Sequence, residues 1–109
     1  MRSWREEIRD KYGYEISDSL TRSKSRTRSI LYVGYHPNSS ILEISVGIGL
    51  SYANTYGAII GDGKRYSIEH SLTGMDIMSC KIVGNSYNCE LTEIGKKIFE
   101  ILKEEPGLE

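Results

Sequence analysis

Residues 91–103 read LTEIGKKIFEILK, and this stretch decides more of the fold than any other. Its apolar side chains recur at helical spacing, and its charged side chains fall on the opposite side. The apolar residues are Ile94, Ile98, Ile101 and Leu102, and the charged ones are Lys96, Lys97, Glu100 and Lys103. Thr92 occupies the N-cap position, and Pro106-Gly107 provides a stop signal. The sequence therefore predicts an amphipathic helix over residues 92–104.

The hairpin in front of this helix is predicted with equal clarity. Residues 80–91 alternate apolar and polar side chains around Gly84-Asn85, a dipeptide that suits a two-residue turn. In this register Cys80 lies opposite Cys89. Because one face is apolar and the other polar, we expect a sheet that is covered on one side.

Size and composition predict one small domain over residues 1–109. The chain has 109 residues, of which 39% are hydrophobic and 27% charged, and its net charge is −1. Any contact with nucleic acid must therefore use a local basic patch. No apolar run approaches the roughly 20 residues that a membrane helix needs, and the charged N-terminus is unlike a signal peptide. We expect a cytoplasmic protein without a membrane partner.

Period-two patterns also occur upstream and set the expected fold. Turn signals at Pro37-Asn38 and Asp62-Gly63 suggest two further hairpins, so residues 30–91 are predicted to form an antiparallel sheet of about five to six strands. Residues 1–13 are predicted to form a short N-terminal helix. The expected class is α+β, with consecutive hairpins and the C-terminal helix packed on one face of the sheet.

The segment between the first helix and the sheet, residues 14–29, is predicted to be a flexible basic arm rich in serine and arginine. Four cations alternate with hydroxyl residues: Arg22, Lys24, Arg26 and Arg28. In an extended chain they would point one way and could neutralise phosphates. Lys64 and Arg65, at a hairpin tip, are expected as auxiliary nucleic-acid contacts. A solvated linker and docking to an acidic protein are the alternatives.

The two cysteines admit three interpretations. Cys80 and Cys89 are expected at a non-hydrogen-bonded pair, where Cα atoms approach to about 4.5 Å, so they could form a cross-strand disulfide. They could equally pack as two small apolar side chains. Metal binding would require more ligands, for example His36 and His70, at a spacing unlike that of zinc sites. We expect no metal, no cofactor and no catalytic residues.

Tyrosines suggest a second function. Tyr32, Tyr35, Tyr52 and Tyr56 could form an exposed aromatic sheet face that binds a protein partner or a second copy of the chain. The first hypothesis is thus a small non-enzymatic nucleic-acid-binding or regulatory protein. The alternative is a protein–protein adaptor or homo-oligomer.

The motif Leu91-Thr92-x-x-Gly95 resembles the segment that follows the wing in winged-helix transcription regulators. The hairpin over residues 80–91 lies where that wing would be, so the resemblance covers residues 80–103. Family members hold two helices and a turn upstream of the wing, whereas residues 41–78 are predicted here as strands. The resemblance therefore implies a hairpin-to-helix junction, and no functional residue is carried over from it.

Overall fold

The computed structural model describes residues 3–108, which form six helices and a three-stranded antiparallel sheet. In chain order the elements are α1 Trp4–Tyr12, α2 Tyr14–Thr21, α3 Lys24–Tyr35, β1 Ser39–Ser40, α4 Ile41–Ile48, α5 Tyr52–Ile59, β2 Met78–Val83, β3 Ser86–Leu91 and α6 Glu93–Leu102. The sheet order is β1-β3-β2. The two terminal helices of the prediction are present as α1 and α6. Met1, Arg2 and Glu109 lie outside the described residues.

The predicted sheet of five to six strands is wrong, because the middle of the chain is helical. Ser40 and Glu43 form a capping box at the start of α4: the Glu43 amide donates to the Ser40 hydroxyl at 3.0 Å, and the Ser40 amide donates to the Glu43 carboxylate at 2.9 Å. Ser51 caps α5 by accepting from the Asn54 amide at 3.1 Å. These caps satisfy amides that would otherwise lack partners, and they outweigh the strand preference of the branched residues that follow.

The flexible arm predicted over residues 14–29 is also wrong. These residues form α2 and the first half of α3, which begins after Ser23, whose hydroxyl accepts from the Arg26 amide at 3.2 Å. The Ser29 hydroxyl donates to the Ser25 carbonyl at 2.7 Å. Because such bonds satisfy hydroxyls within the helix, a polar face can be buried against the core.

The core forms around α3, which packs against α4, α5 and α6. Its fully buried side chains come from the helices, from the long segment between α5 and β2, and from the first residue of β2, and the largest are Ile8, Leu20, Ile30, Val33, Ile41, Ile44, Ile59, Leu72, Ile77, Met78, Ile98 and Leu102. Most of the branched side chains in residues 30–60 thus lie on buried helix faces and not on a sheet.

The Leu91-Thr92-x-x-Gly95 motif ties α6 to the base of the sheet. The Thr92 hydroxyl accepts from the Gly95 amide at 3.0 Å and donates to the Asp76 carbonyl at 2.7 Å. A Cβ atom at Gly95 would collide with the backbone carbonyl of Ile77, so only glycine permits this approach. The motif is therefore a structural joint between the sheet and the helix.

The arrangement of α3, β1, α4, α5, β2 and β3 is that of a winged helix-turn-helix domain, with α4 and α5 as the helix pair and β2–β3 as the wing. The two upstream helices that the resemblance calls for are thus present. The wing register is as predicted, since Cys80 pairs with Cys89 and Ile82 with Tyr87.

Candidate nucleic-acid interface

Helix α5, the second helix of the pair, exposes its first turn and buries most of the rest. Tyr52 and Ala53 are exposed there, whereas Thr55, Ala58 and Ile59 are buried against the core. The helix is eight residues long, so little of its length remains open. Any ligand of α5 would meet its N-terminal end.

Tyr66 covers the second turn of α5. Its ring lies over Gly57, where a Cβ atom would overlap the ring carbons, and its hydroxyl donates a hydrogen bond to Oδ1 of Asn54. The Asn54 amide nitrogen is therefore oriented away from Tyr66. Asn54 and Tyr66 together form the boundary of the open surface.

The segment that carries Tyr66, residues 61–66, is a rigid loop that we call the Asp62 loop. Oδ1 of Asp62 accepts from the amides of Lys64 and Tyr66, each at 2.9 Å. These backbone hydrogen bonds hold the pKa of the Asp62 carboxyl below its usual value, and the bond from the Tyr66 amide contributes most. The loop replaces the hairpin that was predicted around Asp62-Gly63.

Lys64 and Arg65, two predicted nucleic-acid contacts, are exposed on the Asp62 loop. The Arg65 guanidinium carbon lies 5.5 Å from the centre of the Tyr66 ring. Arg65 also lines a shallow hollow together with side chains of the first turn of α5, among them Tyr52 and Asn54. The structure thus brings Arg65 beside the open end of α5, although the loop that carries it is not the hairpin tip that was predicted.

The other four predicted contacts do not form an extended ribbon, because three of them lie on α3 and Arg22 is the C-cap of α2. Arg22 pairs with Asp18 at 2.9 Å. Arg26 is 9% exposed and donates to the Ser19 carbonyl at 3.1 Å. Burial, followed by the charge of Arg22, lowers the Arg26 pKa. Arg26 is therefore part of the helix packing and is not accessible to a phosphate.

Lys24 and Arg28 lie on α3 in different surroundings. Lys24 is exposed in the first turn, and Arg28 is half-buried beside a cavity lined also by Tyr32, Tyr35 and His36. Neither cation lines the hollow at the first turn of α5. The predicted basic arm is thereby divided among an ion pair, a buried contact and two separate surface positions.

The predicted tyrosine face is divided into two helical clusters. Tyr32 stacks on His36 with ring centres 4.4 Å apart, and Tyr35 meets Phe99 edge-on at 5.0 Å. The second cluster holds Tyr52 and Tyr56 on α5, and Tyr56 contacts Tyr87 of the wing at 5.8 Å. The prediction of a continuous aromatic sheet face is therefore wrong. The α5 cluster instead joins the open end of that helix to the wing.

The wing carries both cysteines at its base. The structure joins Cys80 and Cys89 in a cross-strand disulfide, with Cα atoms 4.1 Å apart. Lys81, Ile82 and Val83 are exposed beyond it. The wing therefore presents one cation and two apolar side chains to solvent.

The two histidines make local contacts in the structure. His36 caps the C-terminus of α3, and Nδ1 of His70 lies 3.2 Å from the Ser67 hydroxyl. Across residues 3–108 there is no cluster of three or more histidine, cysteine or acidic side chains that could hold a metal. Within the same residues, no helix combines the length and apolar character required to cross a membrane.

The sequence patterns did not lead to a prediction that a helix begins at Tyr52, and Tyr52 was named only as part of an aromatic sheet face. The usable signals were local: the serine caps at Ser40 and Ser51, and the acidic residue three positions after the first of them. Tyr66, which covers Gly57, carried no such signal, because its contact depends on the path of the Asp62 loop.

The helix pair and the hairpin give the chain the order of elements found in winged helix-turn-helix domains. The chain belongs to the EarA-like family, whose model matches residues 16–102, from α2 to the end of α6. It is 36% identical over 93 residues to an uncharacterised protein of Methanocaldococcus jannaschii, and the match covers 83% of each chain. No solved structure matches the chain.

Proposed function

We propose that this chain is a non-enzymatic protein that binds double-stranded DNA through the first turn of α5, the Asp62 loop and the wing. The observation that carries the proposal is the open N-terminal end of α5, the second helix of the helix-turn-helix, with Arg65 beside it. In proteins of this architecture the second helix enters the major groove with its N-terminal residues.

The first turn of α5 offers groups that can contact base edges. The Tyr52 hydroxyl is a donor and acceptor, and the Ala53 methyl group suits the methyl group of thymine. The amide nitrogen of Asn54 is a donor whose orientation is set by Tyr66. Burial, followed by a hydrogen bond with Tyr87, raises the pKa of the Tyr56 hydroxyl.

Phosphate contacts would come from exposed cations around this turn. Lys64 and Arg65 lie on the Asp62 loop and Lys81 on the wing, and all three are exposed. Three phosphate contacts would give a slope of about −3 for log affinity against log salt concentration. Because the whole chain has a net charge of −1, the attraction would depend on these three cations.

Fluorescence anisotropy with duplex oligonucleotides at several salt concentrations tests the proposal. We expect the K64A/R65A variant to bind more weakly and to reduce the salt slope by about 2. The K24A/R28A variant removes the same charge from α3 and serves as the matched control, with a smaller effect. Absence of binding to any duplex at low salt would refute DNA binding. Loss confined to K24A/R28A would place the contact on α3 instead.

The adaptor or homo-oligomer hypothesis has one supporting observation. Leu42 and Val46, one turn apart on α4, are 60% and 75% exposed, and Tyr35 is 53% exposed. Exposed apolar side chains of this kind are common at protein interfaces. Analytical ultracentrifugation of the wild type and of the L42E/V46E variant tests it. A wild-type monomer at high concentration would argue against self-association.

A further inference from the structure

The disulfide lies where the wing leaves the body of the protein. Cys89 is fully buried on β3, while Cys80 is half-buried on β2. Strand β3 is central in the sheet and also pairs with β1, where Ser39 lies opposite Cys89 and Ser40 opposite Asn88. One sulfur is thus anchored in the body and the other belongs to the edge strand.

Strand β2 is held only by β3 beyond this point. The sheet order leaves its outer edge unpaired, and its distal side chains Ile82 and Val83 are 68% and 51% exposed. On β3, Tyr87 packs on Tyr56 of α5 with ring centres 5.8 Å apart, so β3 is held to the body there, whereas Ile82 and Val83 on β2 face solvent. Because a two-stranded hairpin is by itself marginally stable in water, the disulfide adds a covalent constraint that keeps the distal half of β2 aligned with β3.

We propose that Cys80–Cys89 is a thiol–disulfide exchange site whose substrates are dithiols, and that its oxidation state determines how ordered the wing is. When the disulfide is formed, the wing is an ordered hairpin. When the disulfide is reduced, residues 81–88 fray while the body remains folded. The consequence for DNA rests on the proposed function, since an ordered wing presents Lys81 without further loss of conformational entropy.

The exchange uses the accessible sulfur first. A thiolate of the dithiol attacks Sγ of Cys80, the S–S bond breaks, and Cys89 leaves as a thiolate that takes up a proton. The second thiol of the reagent then attacks the mixed disulfide and releases Cys80 as a thiol. The protein gains two electrons and two protons, and the dithiol becomes a cyclic disulfide. The reverse reaction with an oxidised dithiol restores the bridge.

Burial of Cys89 makes this exchange selective. Its sulfur is shielded, so attack from solvent is directed to Cys80, and the departing Cys89 thiolate would form in an apolar environment that disfavours charge. We therefore expect reduction to require partial opening of the wing, and to be slower than that of an exposed model disulfide.

Amide hydrogen exchange in the presence and absence of dithiothreitol tests the inference without DNA. On reduction we expect amides of residues 81–88 to exchange about tenfold faster or more, while those of α3 and α6 change little. The C80A/C89A variant should behave like the reduced protein and should not respond to dithiothreitol. Equal exchange of the wing in both states, or resistance of the bridge to excess dithiothreitol, would overturn the inference.

The C80A variant separates loss of the bridge from damage to the core. It leaves Cys89 in its buried position, so its wing should exchange as in the reduced wild type, with native exchange in α6. Reduction of the wild type with dithiothreitol should lower its duplex affinity about threefold to tenfold. The duplex affinity of C80A/C89A should not respond to dithiothreitol. If neither state binds DNA, the proposed function fails, while the exchange data still decide the inference.

Discussion

Helix α5 and the wing adjoin each other through Tyr56 and Tyr87, but they are held in place by different means. The inner face of α5 is buried in the core, and Tyr66 covers Gly57 on its outer side. The distal wing exposes Ile82 and Val83, contacts α5 through Tyr87, and is linked across its base by one covalent bond. A helix packed into the core and a hairpin with exposed distal side chains thus flank the same surface.

The largest effect is expected from a core substitution under α5. Ile59→Ala removes a fully buried side chain and should reduce the free energy of unfolding by about 3 kcal/mol. Ile82→Ala on the wing, where the side chain is 68% exposed, should cost less than about 0.5 kcal/mol. Urea denaturation of both variants gives the comparison. Similar losses would show that the wing is packed as tightly as α5.

The next effect concerns the disulfide. Reduction should lower the stability by about 2 to 3 kcal/mol, chiefly because the unfolded chain regains the freedom of a ten-residue loop. Differential scanning calorimetry with and without dithiothreitol measures the shift in Tm, and C80A/C89A should be insensitive to the reagent. An unchanged Tm for the reduced wild type would contradict this account of the wing.

A substitution at the cover of α5 should have a moderate effect. Gly57→Val would displace the Tyr66 ring and cost about 2 kcal/mol through overcrowding. Ala53→Val on the exposed first turn of the same helix is the control and should cost only the difference in helix propensity, about 0.5 kcal/mol. If the two variants were equally stable, Tyr66 would not be a fixed cover.

Tyr66→Phe isolates the hydroxyl from the ring. The ring still covers Gly57, but Asn54 loses its donor, so we expect a loss of about 1 kcal/mol. In a duplex selection experiment this variant should show altered base preference at the position nearest Asn54. An unchanged preference with unchanged stability would mean that the hydrogen bond does not orient the amide.

The smallest effect is a pH dependence of the Asp62 loop. The folded-state pKa of Asp62 lies below its unfolded value, so the stabilisation is present above the unfolded value, about 3.9, and is lost as pH falls through the folded pKa. Urea midpoints between pH 6 and pH 2 should therefore converge for wild type and D62N at the acidic end. A constant difference across this range would exclude Asp62 as the cause.

The parts of the fold that were predicted correctly are those encoded by contacts within a few residues. The Gly84-Asn85 turn sets the register that places Cys80 opposite Cys89, and Thr92 caps α6 through the Gly95 amide. The same kind of signal was present at Ser40, but period-two spacing in the following residues was given more weight. That spacing is ambiguous in short segments, because a brief apolar run suits a buried helix as well as a strand.

The candidate surface was predictable only in part. Lys64 and Arg65 were expected as exposed contacts and both are exposed, but the position of Arg65 beside the first turn of α5 could not be inferred. The prediction for Arg26 was wrong. The alternation of cations with hydroxyl residues suggested an accessible side chain, whereas the structure buries Arg26 against Ser19. Whether Arg26 is buried depends on how α2 packs on α3, and no local sequence pattern predicts that packing.

By itself the sequence determined the wing and its register, the terminal helices, the cap at Thr92 and the absence of a global basic field. Turn and capping preferences act over two to four residues, so these features can be derived without knowledge of the rest of the chain. Only the tertiary structure decided that Tyr66 covers Gly57 and that Arg26 is buried. Those outcomes depend on which distant surfaces meet, and the free energy of that packing exceeds the local preferences that it overrides.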